Sequence, residues 1–174
     1  MGRLLVLGVV SAALLAGCSS ATESQEPPPS ASTAATTPAL PPEPEPSADQ
    51  PCPYLDTDFV SRANGQMVDK VSTSADTPHP TCFFYRPDGG LQLTVRVYSG
   101  DPAVATGLVD QAAPVDTSNP TEQPAGWSGG YEATDDGAVY AVVKEGDAVI
   151  VTTNQGQSVK ARKVALEAIT GLGI

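Results

Sequence analysis

The sequence predicts an α+β fold: an antiparallel sheet with a long C-terminal helix and shorter helices packed on it. Three observations carry that prediction. Ser158 to Leu172 places Ala161, Val164, Ala165, Ala168, Ile169 and Leu172 at helical spacing, with Lys160, Arg162, Lys163 and Glu167 on the opposite face. Leu91, Leu93, Val95 and Val97 alternate with Gln92, Thr94, Arg96 and Tyr98, the period of a strand with one buried face. Asp135-Asp136-Gly137 and Glu145-Gly146-Asp147 are tight-turn sequences that separate further apolar runs. Strands joined by tight turns pair antiparallel, and helices must then bury their apolar stripes on the sheet.

The elements follow in order. Asp56-Thr57-Asp58 caps a short helix through Phe59, Val60 and Ala63, which stops at Asn64-Gly65. Met67 to Ser72 is read as a strand. Thr81 to Tyr85 and Leu91 to Tyr98 form a hairpin around Arg86-Pro87-Asp88-Gly89-Gly90. Asp101-Pro102 supplies an N-cap and a first-turn proline for a helix striped by Val104, Leu108 and Ala112. Ala113 to Gly130 is rich in Pro, Gly, Asn and Ser and is read as a long loop. Tyr131 to Thr134, Ala138 to Lys144 and Ala148 to Thr153 are three strands, followed by the C-terminal helix.

Ahead of this lies a segment of different character. Arg3 precedes an apolar run from Leu4 to Leu15, about a dozen residues long and too short to span a bilayer as a helix. Leu15-Ala16-Gly17-Cys18 then matches a lipobox, so residues 1–17 are read as a lipoprotein signal peptide and Cys18 as the lipidated N-terminus of the mature chain. Two or three acyl chains on one cysteine hold a protein on a membrane without a polybasic second signal. Residues 18–50 carry Pro27-Pro28-Pro29, Pro41-Pro42-Glu43-Pro44-Glu45-Pro46 and many Ser, Thr and Ala, with Leu40 as the one large aliphatic side chain after Cys18. Such a composition cannot offset its ordering entropy and predicts a disordered tether reaching between about 30 Å as a coil and about 100 Å if extended. Bare spacer and glycosylated stalk, with Thr33, Thr36 and Thr37 as acceptors, stand as equal alternatives. Residues 51–174 have the length of one globular domain.

Cysteine use is consistent with an extracytoplasmic location. The domain holds Cys52 and Cys82. Thiols outside the cytoplasmic membrane oxidise, and with Cys18 lipidated the two are left to form a disulfide. A metal site is the alternative, but His79 is the one histidine available to complete it. No metal and no cofactor is expected. The chain carries 20 acidic and 9 basic residues, a net charge of −11. That balance argues against nucleic acid as a partner and against adhesion of the body to an anionic lipid surface.

Motifs for catalysis are weak. Gly126-Trp127-Ser128-Gly129-Gly130 matches G-x-S-x-G, but a hydrolase elbow needs a strand before it, a helix after it and a histidine later in the chain. Here a loop precedes, a strand follows and His79 comes first, which argues against a serine hydrolase. Trp127 is read as a loop anchor packed on the sheet edge. As an exposed aromatic it would instead be a candidate binding residue. The acidic turns do not follow the calcium-loop pattern. Lys160, Arg162 and Lys163 gather in the first half of the last helix, where the macrodipole favours acids. A solvated face is the plain reading. The sharper one is a binding site for an anionic headgroup or an acidic partner.

Several short blocks, Cys52-Pro53-Tyr54-Leu55, Asn64-Gly65, Cys82-Phe83-Phe84-Tyr85, Gly126-Trp127-Ser128-Gly129-Gly130, Ala138-Val139-Tyr140-Ala141-Val142, Thr153-Asn154-Gln155 and Gln157-Ser158-Val159-Lys160-Ala161, resemble an uncharacterised family of actinobacterial, mycobacterial-type lipoproteins. Its shared region is known only as a domain of unknown function. More loosely, the element order is similar to lipoproteins of the Mog1/PsbP-like fold, which implies a binding or accessory role and transfers no residue roles. The expectation is therefore a monomeric, non-catalytic envelope lipoprotein, anchored through Cys18 at the extracytoplasmic face of the membrane. It would bind an envelope lipid or a partner protein. The rival expectations are an envelope hydrolase with unrecognised residues and a structural accessory of an export complex.

Overall fold

The computed structural model describes residues 38–174. In chain order these form β1 (Ala48–Asp49), α1 (Thr57–Asn64), β2 (Lys70–Thr73), β3 (Cys82–Tyr85), β4 (Leu91–Ser99) and α2 (Pro102–Ala112). There follow β5 (Asn119–Gln123), a 3-10 turn at Pro124–Gly126, β6 (Trp127–Thr134), β7 (Gly137–Lys144), β8 (Asp147–Thr153) and α3 (Ser158–Leu172). The strands make one eight-stranded sheet in the order β1-β2-β3-β4-β8-β7-β6-β5. Every neighbouring pair is antiparallel. The α+β class, the antiparallel sheet and the long last helix are as the sequence predicts.

Local chemistry sets the helix ends. The Asp56 carboxylate accepts from the Phe59 amide at 2.8 Å, and α1 stops at Gly65, whose φ of 74° is the left-handed geometry that glycine adopts without a Cβ penalty. The Asp101 carboxylate accepts from the amides of Ala103 and Val104 ahead of Pro102. Helix α3 has no side-chain cap at Gln157 and ends at Gly173.

The sheet is buried on both faces at its centre. On one face Leu93, Val95, Tyr140, Val142, Val149 and Val151 pack against Val60 of α1 and against Ala161, Val164, Ala165 and Ala168 of α3. On the other, Ala141, Ala148 and Ile150 meet Val104, Ala105, Leu108 and Val109 of α2. This two-sided burial explains the nearly unbroken apolar runs of β7 and β8. Cys52 and Cys82 form a disulfide with a Cα–Cα distance of 5.6 Å. It ties the segment ahead of α1 to β3. Beside it the Tyr54 hydroxyl donates to the carbonyls of Pro80 (2.8 Å) and Val95 (3.2 Å), and burial pushes its phenol well above the ordinary value.

Two expectations need correction. Ala113 to Gly130 is not one long loop, because β5 and the first half of β6 lie within it. Pro120 is compatible with β5, since β5 is the outermost strand and needs hydrogen bonds on one side only. Gly129 and Gly130 allow β6 to pass close to its neighbours: a Cβ at the first would strike the Ala141 carbonyl and at the second the Ser118 hydroxyl. The part of the expected tether that falls within the described residues is also ordered, so the folded unit begins before residue 51. Residues 38–50 lie against the sheet, with β1 paired to β2 and the Ser47 amide donating to the Thr73 carbonyl at 2.8 Å. The expected signal peptide 1–17, Cys18 and the rest of the expected tether lie outside the described residues.

Candidate functional site: a cleft beside helix α2

Strand register builds the site. Phe83 of β3 is opposite Thr94 of β4, Thr94 is opposite Thr152 of β8, and Thr152 is opposite Val139 of β7. These four side chains therefore form one row across the face that carries α2. The Thr94 and Thr152 hydroxyls hydrogen-bond each other within it. In the next row Arg96 of β4 is opposite Ile150 of β8. Helix α2 covers the β7–β8 side of this face. Residues 43 and 44 run over it on the other side, and between the two a cleft of about 250 Å³ remains open. Phe83, Val139 and Ile150 give it an apolar floor, Leu108 and Ala112 one wall, and Gln111, Thr81 and Glu43 a polar rim.

Arg96 lies at one end. Its side chain is only 12% exposed. Nη2 donates to the carbonyls of Pro42 (2.8 Å) and Pro41 (3.3 Å), and Nη1 stands 3.5 Å from a Glu43 carboxylate oxygen. The volume falls below that of an ordinary small-molecule pocket, about 300 Å³ at the least. It suits one chain or one extended segment rather than the body of a lipid. Among the described residues that line the cleft no nucleophile is paired with a base, and Glu43 is the one carboxylate.

The residues singled out by sequence go elsewhere. Trp127 is 3% exposed, on β6 rather than in a loop, and belongs to the core under α3. The Lys144 ammonium stands 5.4 Å from the centre of its ring. It offers no surface for contact, which corrects its place as a candidate binding residue. Ser128 is exposed in β6 opposite Val143, so the G-x-S-x-G segment runs as strand and not as a strand–turn–helix elbow.

The three basic residues of α3 do not converge. The Lys160 ammonium donates to the Asn64 carbonyl (3.0 Å) and to Gln155 Oε1 (2.9 Å). It thereby serves the carboxyl end of α1, where a cation is favoured. Lys163 lies 5.7 Å from the centre of the Phe59 ring. Arg162 turns the other way, donates to Gln123 Oε1 at 3.0 Å and lines a recess of about 210 Å³ with Tyr131 and Tyr140.

Sequence reading missed a buried polar network. Asn64 and Gln92 are both buried. The Asn64 amide donates to Gln92 Oε1 (3.0 Å), Gln92 donates to the Met67 carbonyl (2.9 Å), and the Thr153 hydroxyl donates to Asn64 Oδ1 (2.6 Å). The one signal was the position of Gln92 within an otherwise apolar strand start. Asp49 is held below the ordinary value by the Ser72 hydroxyl, which donates at 2.7 Å, and by the Lys70 ammonium at 3.0 Å. Among the described residues no group of His, Cys, Asp and Glu is placed to hold a metal ion, and no helix is long and apolar enough to cross a membrane.

Comparison with known proteins places the whole described region in one family. The family model described as Domain of unknown function (DUF2020) matches residues 35–174. No curated protein matches the chain.

Proposed function

We propose that this chain, which belongs to the DUF2020 family, is a non-catalytic binding module of the bacterial cell envelope. In this reading Cys18 carries the lipid anchor at the extracytoplasmic face, and the cleft beside α2 takes an extended segment of a partner protein. The observation that carries the reading is the cleft itself: an apolar floor with a polar rim, open along the sheet, lined by no nucleophile–base pair. A partner protein is favoured over a lipid for two reasons. The seam between the sheet and α3, where an acyl chain would otherwise lie, is filled by Ala161, Val164, Ala165 and Ala168. The cleft is also small.

The test is a photo-crosslinking amino acid placed at Gln111, an exposed residue on the rim, in the full-length protein in its own cells. The expected result is a discrete protein adduct that disappears when Ala112→Trp fills the cleft. Adducts confined to lipid, or protein adducts indifferent to Ala112→Trp, would overturn the reading.

A further inference from the structure

Arg96 is a mostly buried cation on a sheet face, and such a group requires hydrogen-bond acceptors. Among the described residues its partners all come from one segment more than fifty positions earlier: the carbonyls of Pro41 and Pro42 and the carboxylate of Glu43. Every residue from Leu40 to Pro46 is a proline or precedes one. Proline fixes its own φ and keeps its predecessor out of the helical region, so the segment is extended before it docks. A polyproline-type backbone makes no hydrogen bonds with itself, which leaves its carbonyls free for a guanidinium.

The rest of the contact has the form of ligand binding. Leu40 is half-buried against the α2 cluster and lies over Gly107, where any Cβ would strike its side chain. Pro44 then forms part of the cleft wall. An aliphatic anchor, two carbonyls held by one arginine, an acidic side chain and a proline on an apolar wall together make a peptide-recognition surface of the proline-rich type.

We infer that the surface between α2 and β4 is a receptor groove for proline-rich acidic segments of the Leu-Pro-Pro-Glu-Pro type, occupied in cis by residues 40–46. The inference rests on the reading of this face as a partner-binding surface, and it specifies the partner's chemistry: a segment that displaces the chain's own. Cis occupancy follows from proximity. A segment joined to its groove by a short connection acts at an effective concentration in the millimolar range, so a free peptide competes poorly until the cis contact is weakened.

The experiment uses the full chain and a fluorescent synthetic peptide spanning residues 39–47. Leu40→Ser with Glu43→Gln weakens the cis contact without touching the sheet. This release variant is expected to bind the peptide at least tenfold more tightly than the parent chain does. Adding Arg96→Gln should abolish that binding, while Arg96→Lys should restore only part of it, because lysine lacks the fork that spans two carbonyls. Circular dichroism checks that each variant is folded. If Arg96→Gln fails to fold, a peptide with alanine for every proline takes its place and should not bind. Equal binding by parent and release variant, no saturable binding below about 1 mM, or binding indifferent to Arg96→Gln and to the alanine peptide would overturn the inference. Crosslinking at Gln111 is independent of these results. A protein adduct there with no peptide binding here would reject the proline-rich chemistry and leave the partner-binding reading intact.

Discussion

Asn64 and Thr153, 89 residues apart in the chain, are joined by a buried hydrogen bond of 2.6 Å, in which the threonine hydroxyl donates to the Asn64 side-chain oxygen. With Gln92 as the third member, the contact links the end of α1 to β4 and β8. A buried polar network is costly when one member is lost, because its partners remain desolvated. Asn64→Ala is therefore expected to destabilise the fold by about 2–4 kcal/mol. Urea unfolding of the variant checks this, and a loss under about 1 kcal/mol would mean that water replaces the amide.

The disulfide closes a separation of 30 residues. By loop-closure entropy its loss should cost about 3–4 kcal/mol. The Cys52→Ala/Cys82→Ala double variant, or the reduced protein, should unfold at correspondingly lower denaturant. Unchanged stability on reduction would mean that the unfolded chain is already constrained there.

Lys160 and its two basic neighbours should separate in stability measurements. Lys160 is half-buried and caps α1 through the Asn64 carbonyl. Lys160→Gln is expected to cost about 1.5–3 kcal/mol, as for hydrogen bonds made by a charged group. Arg162→Gln and Lys163→Gln, both exposed, should stay within about 0.5 kcal/mol. Equal effects at all three positions would contradict the separate roles given to them.

Asp49 sets an acid limit on the β1–β2 contact. Its folded-state pKa is lowered, chiefly by the Ser72 hydroxyl and then by Lys70. A depressed carboxylate contributes stability that is present above the ordinary value of 3.8 and is lost as pH falls through the folded value. The Asp49 carboxyl signal in an NMR titration should thus show a midpoint below 3.8. Ser72→Ala should move that midpoint upward.

The proposed lipidation of Cys18 makes a cellular prediction. Cys18→Ala should abolish incorporation of an alkynyl fatty acid and release the protein from the membrane fraction. The purified variant should keep the same unfolding midpoint, because residue 18 lies outside the matched domain. Retention of the label in Cys18→Ala would remove the anchor from the proposed function.

The sequence was most legible where a short-range signal and burial agree. Helix α3 spans Ser158–Leu172, as its periodicity predicts. The β3–β4 and β7–β8 hairpins are set by their turns, but the expected alternation of β4 breaks at its start, where a register shift opposite Phe84 and Tyr85 leaves Leu91 exposed and Gln92 buried. Strand β5 was illegible because Asn119-Pro120 has the composition of a loop, and pairing with β6 is what makes it a strand. The site was hidden for a related reason. Arg96 reads as a polar, outward position of β4, and nothing near it in sequence indicates that Pro41 and Pro42 bind it. Contacts between a proline-rich segment and a strand more than fifty residues later leave no periodic trace in either.

The two outermost strands limit how this protein can associate. β1 is two residues long, and β5 carries Pro120, which has no amide hydrogen to donate. Neither border of the sheet offers a continuous row of free donors and acceptors to a strand from another molecule. The borders of the sheet, as the described residues form them, therefore work against the edge-to-edge joining of sheets between neighbouring copies of this chain.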